Sequence, residues 1–163
     1  MITLAVPSPH SAPRVTPVRR IVLHAMGEYV RADQWTRHCT HLLESLGVSA
    51  HAIVLPDGRL LACVPPERIA HHAKGHNTDS VGIEFAVPGV WDYTGFLTRI
   101  KMPWVTDAAL ETGVEWIVEQ CRRYSLGTAA ITTHARLDPD RKQDPGAGFP
   151  FEDLLVGVAR ALG

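Results

Sequence analysis

The chain has 163 residues, a length that favours one domain and suffices for a core without disulfides or a structural metal. Sixteen Lys and Arg stand against 17 Asp and Glu, giving a net charge of −1 and excluding the basic excess expected of a nucleic-acid binder. With 45% hydrophobic and 20% charged residues, and no apolar run near the ~20 residues of a membrane span, the composition predicts a soluble globular protein.

Residues 1–18 hold four prolines and read as an extended arm, leaving 19–163 as the single folded domain. The prolines interrupt the early apolar residues and the positive charges follow them, the wrong order for a secretory signal, so synthesis in the cytoplasm without a signal peptide is expected. Residues 19–25 (RRIVLHA) form a short strand ending near a histidine. Trp35, Cys39, Leu42, Leu43 and Leu46 recur at helical spacing before Gly47. Two apolar runs around Pro56-Asp57-Gly58 spell a hairpin, and residues 80–87 (SVGIEFAV) give another strand. Residues 88–106 read as a long connection carrying Trp91, Tyr93, Phe96 and Trp104, aromatics for a core or a groove. A helix capped by Thr106 follows, ending at Gly127, then a strand over 128–133, a turn-rich segment to Phe149 and an amphipathic helix carrying Leu154, Leu155 and Val158. Cys39, Cys63 and Cys121 are odd in number and form no CxxC, so free thiols are expected.

Nine histidines are many for this length, and position separates them. His24 and His134 each end a predicted strand, where a rigid sheet holds side chains at its mouth. Asp144 lies ten residues beyond His134 in HARLDPDRKQDPG. Two imidazoles and a carboxylate suit zinc and leave a fourth position for water; strand-end histidines satisfied by hydrogen bonds are the other reading. His38 and His41 flank an apolar stripe and read as a helix face. His71, His72 and His76 sit in a loop where substrate contact is the better reading than metal. Glu84, in the apolar strand VGIEF, is either outward-facing or functional. Lys142, two residues before Asp144, is within reach of the same site.

The succession of strand-His24, SAHAIVLPDGRLLACVPPERIAHHA, SVGIEF and HARLDPDRKQDPG resembles the zinc-dependent N-acetylmuramoyl-L-alanine amidases of type 2 over roughly residues 19–160. That family includes amidase-type phage lysozymes and the peptidoglycan recognition proteins. The resemblance implies a single α/β domain with a central mixed sheet flanked by helices. It implies one catalytic zinc held by His24, His134 and Asp144, with Glu84 and Lys142 as catalytic groups and His72, in the family's Trp-His-Ala position, near the substrate. His71 and Arg136 are further candidates for substrate binding, as are Arg68, Lys74 and Arg141 for stem-peptide carboxylates. His71 replaces a common tryptophan, Ala25 a polar residue, and Ala50 and Ala52 stand where aromatics are frequent, departures that bear on substrate fine specificity. The expected activity is hydrolysis of the amide between N-acetylmuramic acid and L-alanine in peptidoglycan by a monomer that inserts in no membrane. The expected setting is a phage or prophage endolysin acting on the cell wall. The alternatives are a non-catalytic peptidoglycan-binding module of the same fold and a cytosolic muropeptide-recycling amidase.

Overall fold

A computed structural model describes residues 2–27 and 45–163. The predicted helix before Gly47, with His38, Cys39 and His41, lies almost wholly outside them.

Among the described residues eight strands account for the sheets: β1 (Ile2–Ala5), β2 (Ser11–Pro13), β3 (Arg20–Met26), β4 (Ala52–Val54), β5 (Arg59–Ala62), β6 (Arg68–Ala70), β7 (Ser80–Ala86) and β8 (Ile131–Thr133). Six form one mixed sheet in the order β1-β5-β4-β7-β3-β8, and β2 pairs with β6 in a small antiparallel ribbon. Within the large sheet the β4–β5 hairpin is the antiparallel pair, closed at Gly58, whose φ of +84° suits a residue without Cβ. All other pairings are parallel, including β3 with β7 and β3 with β8. The proline-rich N-terminal stretch thus contributes the edge strand β1 and the ribbon strand β2. Arg14, just beyond β2, donates to the carbonyls of Pro66, Arg68, Thr78 and Ser80 and ties this stretch to the loop leading into β7.

Among the described residues four α-helices are complete: α1 (Tyr93–Arg99), α2 (Asp107–Tyr124), α3 (His134–Leu137) and α4 (Phe151–Leu162). Helix α1 lies inside the segment read as a long aromatic connection; Asp92 caps it, accepting from the Gly95 N–H at 2.7 Å. Its aromatics divide: Phe96 and Trp104 are buried, whereas Tyr93 is 66% exposed. Thr106 caps α2 as expected, but the helix stops at Tyr124 because Ser125 takes the left-handed conformation, φ 54°, and not at Gly127. Residues 128–130, read as strand, form a 3₁₀ turn ahead of β8. Cys63 and Cys121 are free and buried.

Side chains alternate across the strands, and this alternation positions the site. Ile21, Leu23, Ile83 and Phe85 point to one face, where they join Ile117, Leu154 and Val158 of α2 and α4 in the main core. Each such fully buried aliphatic side chain contributes about 1.5–3 kcal/mol. The intervening residues of β3 and β7, among them His24, Glu84 and Met26, point to the other face. The parallel register pairs His24 directly with Glu84.

Candidate metal centre

His24 is the third residue from the end of β3 and is 1% exposed. His134 opens α3, directly after β8, and the Thr133 hydroxyl caps this turn by accepting from the Arg136 N–H at 3.2 Å. The loop that follows returns on itself: the Ala135 N–H donates to the Asp144 carbonyl at 2.9 Å, bringing Asp144 back beside His134. Gly146 makes this return possible, with φ +84° and so little room that a Cβ would lie 2.4 Å from the Ile100 carbonyl oxygen.

Three atoms from these residues converge. His24 Nδ1 is 2.9 Å from His134 Nδ1 and 3.1 Å from Asp144 Oδ2, and His134 Nδ1 is 3.0 Å from the same oxygen. The other nitrogen of His134 is buried without a partner among the described residues, so this ring makes its polar contacts through Nδ1. Two imidazoles and one carboxylate, each offering one atom to a common point, are a donor set that zinc takes, and the residues present fit such an ion.

Electrostatics separate the two acids. Burial opposes ionisation of Asp144, but its close contacts with the His134 and His24 rings outweigh it and hold the carboxyl well below the usual carboxylate range. Glu84, whose Oε1 is 4.0 Å from His24 Nδ1, is pushed up to about 8, chiefly by burial and further by the Asp144 charge, while Lys142 opposes the rise. A carboxyl poised near neutrality beside a converging donor set is suited to moving protons. Burial lowers the His24 imidazole despite Asp144, and lowers His72 well below its ordinary value.

His24, Glu84, His134, Lys142 and Asp144 all line one cavity of about 300 Å³. His71 and His72 line it too, but both ring nitrogens of His72 face protein partners, His24 at 3.0 Å and Ser80 Oγ at 3.2 Å. Tyr93, Phe96 and Leu97 of α1, a helix absent from the sequence reading, form part of the wall. The remaining basic candidates are not brought there. The Arg136 guanidinium lies over the Phe151 ring, 4.2 Å from its centroid, Arg68 donates to Ser11, and Arg141 pairs with Asp138. Lys74 is exposed and away from the cavity walls. Ala50 and Ala52 are wholly buried in the two cores, not on the cavity, so their small size concerns packing rather than substrate. Sequence reasoning also passed over His51, which is 2% exposed: its Nδ1 accepts from the Gly82 N–H at 2.9 Å and its Nε2 faces the Arg68 carbonyl at 3.1 Å.

The mixed sheet thus presents, in an open cavity, a trio of side chains that could hold a metal ion with a carboxyl beside it. The sequence profile of the Amidase_2 family, N-acetylmuramoyl-L-alanine amidase, matches residues 14–147, and the chain belongs to this family. Among solved structures, it is similar to a selenomethionine derivative of AmpD, with 26% identity, 97% of this chain and 92% of that one covered, and a TM-score of 0.72. It also resembles the endolysin N-acetylmuramoyl-L-alanine amidase LysCS from Clostridium intestinale, with 19% identity, 96% and 95% covered, and a TM-score of 0.65. The peptidoglycan recognition proteins LCa and LCx, solved with bound tracheal cytotoxin, give 20% identity, 91% and 92% covered, and a TM-score of 0.67. No curated protein sequence matches the chain.

Proposed function

We propose that the protein is a zinc-dependent N-acetylmuramoyl-L-alanine amidase that cuts the bond between N-acetylmuramic acid and L-alanine in peptidoglycan. The observation that carries this reading is the convergence of His24, His134 and Asp144 with Glu84 beside them, in a chain of the amidase family. These three residues would hold the ion. When bound, zinc supplies Lewis acidity that activates water near neutral pH and polarises an amide carbonyl.

The chain's own residues do the rest. The Glu84 carboxylate takes a proton from the attacking water and returns it to the leaving L-alanine amine, one group serving as base and then acid. Its burial raises its proton affinity, which favours the first transfer; the Lys142 ammonium counters that rise and keeps the carboxylate available. Lys142 also faces the negative charge that gathers on the carbonyl oxygen, a role worth on the order of 10²–10³ in rate for a single donor. The apolar wall from Phe96 and Leu97 of α1 limits water at the scissile bond. As to setting, the reading is a phage or prophage endolysin that meets intact cell wall, supported by the likeness to an endolysin amidase over nearly the whole of both chains.

Incubation with purified sacculi, followed by mass spectrometry of the soluble products, tests bond and setting together. Stem peptides with free L-alanine amino termini are expected, released with zinc, lost on chelation and recovered on zinc restoration. Cleavage of soluble muropeptides with intact sacculi untouched would contradict the endolysin setting. Binding to sacculi with no release under any metal condition would contradict the enzyme.

A further inference from the structure

Behind the donor trio runs a chain of hydrogen bonds that begins at an atom whose role chemistry fixes. The His76 carbonyl oxygen can only accept, and the Ser80 hydroxyl lies 2.6 Å from it, so the hydroxyl proton goes there. Toward His72 Nε2, 3.2 Å away, Ser80 Oγ therefore offers a lone pair, and Nε2 must carry the proton. A neutral imidazole has one such proton. His72 Nδ1 is thus an acceptor, and His24 Nε2, 3.0 Å away, is its donor. An imidazolium at position 72 would be uncompensated, because the atoms facing its two ring nitrogens are Ser80 Oγ and His24 Nε2 and its ring packs edge-on against those of His24 and His51. With its proton on Nε2, His24 presents a bare Nδ1 to Asp144 Oδ2 and His134 Nδ1.

The backbone is shaped for this chain. Asn77 Oδ1 accepts from the N–H groups of His72 and Ala73, at 3.1 and 2.7 Å, and fixes the segment from which the ring extends. The ring itself lies against β7 at Gly82, where a Cβ would come within 2.3 Å of His72 Nδ1. Any side chain there would push the acceptor away from His24.

We propose that His72 is a positioning residue, whose ring transmits the fixed acceptor character of the His76 carbonyl through Ser80 to His24 and so holds His24 in the tautomer that can ligate a metal. The consequence for metal binding rests on the reading of His24 as a ligand; the tautomer assignment does not. Partners behind a ligating histidine orient the ring and raise its basicity, and their loss weakens metal affinity by about 10–100-fold.

Two measurements test it. In the metal-free wild type, long-range proton–nitrogen NMR of the imidazoles is expected to place the protons of both His72 and His24 on Nε2; a proton on His72 Nδ1 overturns the proposal whatever the metal does. Zinc affinity by competition with a chromophoric chelator is then compared in four proteins: wild type, His24→Ala, His72→Asn and His72→Gln. Asn sets an oxygen where Nδ1 stood and keeps the acceptor, whereas Gln reproduces the group facing Ser80 and loses it. His72→Gln is expected to bind about 10–100-fold more weakly than wild type, with His72→Asn retaining most of the affinity. Equal affinities in the Asn and Gln variants overturn the positioning role. Unchanged affinity in His24→Ala overturns the metal reading instead.

Discussion

Ile83 and Glu84 are neighbours in β7, each 9% exposed or less, and they face opposite sides of one sheet. On the Ile83 side, the strands pack into an apolar core that the helices α2 and α4 close. On the Glu84 side, the same strands carry His24 and a carboxyl pushed up to about 8 by burial. One face is given over to apolar packing, whereas the other combines a smaller apolar cluster with buried polar groups. Alternation with period two is what lets adjacent residues have such different work.

The sharpest way to break this contrast is to change each neighbour alone. Glu84→Gln is expected to lower turnover by about 10²–10⁴-fold while the protein stays folded and still binds zinc, as kinetics and metal analysis would reveal. Near-normal kcat would remove Glu84 from the chemistry. Ile83→Ala should do the reverse, lowering unfolding stability by about 2–5 kcal/mol in denaturant titrations, with kcat of the folded fraction retained.

The polar face also predicts a pH dependence. His51 is lowered from 6.5 to about 4, chiefly by burial, so its stabilising contribution is complete above pH 6.5 and is lost as pH falls through about 4. The loss amounts to about 3 kcal/mol. Glu84 tilts the other way in the metal-free protein, its contribution being present below 4.5 and lost as pH rises through about 8. Urea titrations of wild type and His51→Asn between pH 7 and pH 4 isolate the histidine: the variant should lack that share of the acid slope, and parallel curves would refute the assignment. A smaller effect is expected on the apolar side. Thr106 caps α2, accepting from the Ala109 N–H at 3.1 Å, and donates to the Pro56 carbonyl at the hairpin turn, so Thr106→Ala should cost about 1 kcal/mol and leave activity intact.

The same contrast explains what could be read in the sequence. The apolar face was legible because burial there follows residue type: the PDG hairpin, the Thr106 cap and the Leu154/Val158 stripe all carry local signals. The converging trio was legible as candidates because His24, His134 and Asp144 stand where strands feed loops. Helix α1 escaped notice because it has only seven residues, with Gly95 among them, too short for a periodicity to register. Arg136 looked like a partner for a carboxylate because its charge is visible in sequence, whereas the Phe151 ring that engages it is fifteen positions away. The partners of His72 were equally hidden, since the direction of a ring nitrogen depends on contacts with His24 and Ser80 that no spacing encodes.

We propose that one zinc ion held by His24, His134 and Asp144 drives cleavage. The most direct test is to add zinc stepwise to metal-free protein and follow stem-peptide release from sacculi, with His134→Ala alongside. Release should rise in proportion to bound metal and level off at one equivalent per chain in the wild type, with the variant neither holding that equivalent nor releasing peptide. Full release from protein stripped of metal, or an active His134→Ala, would contradict the account.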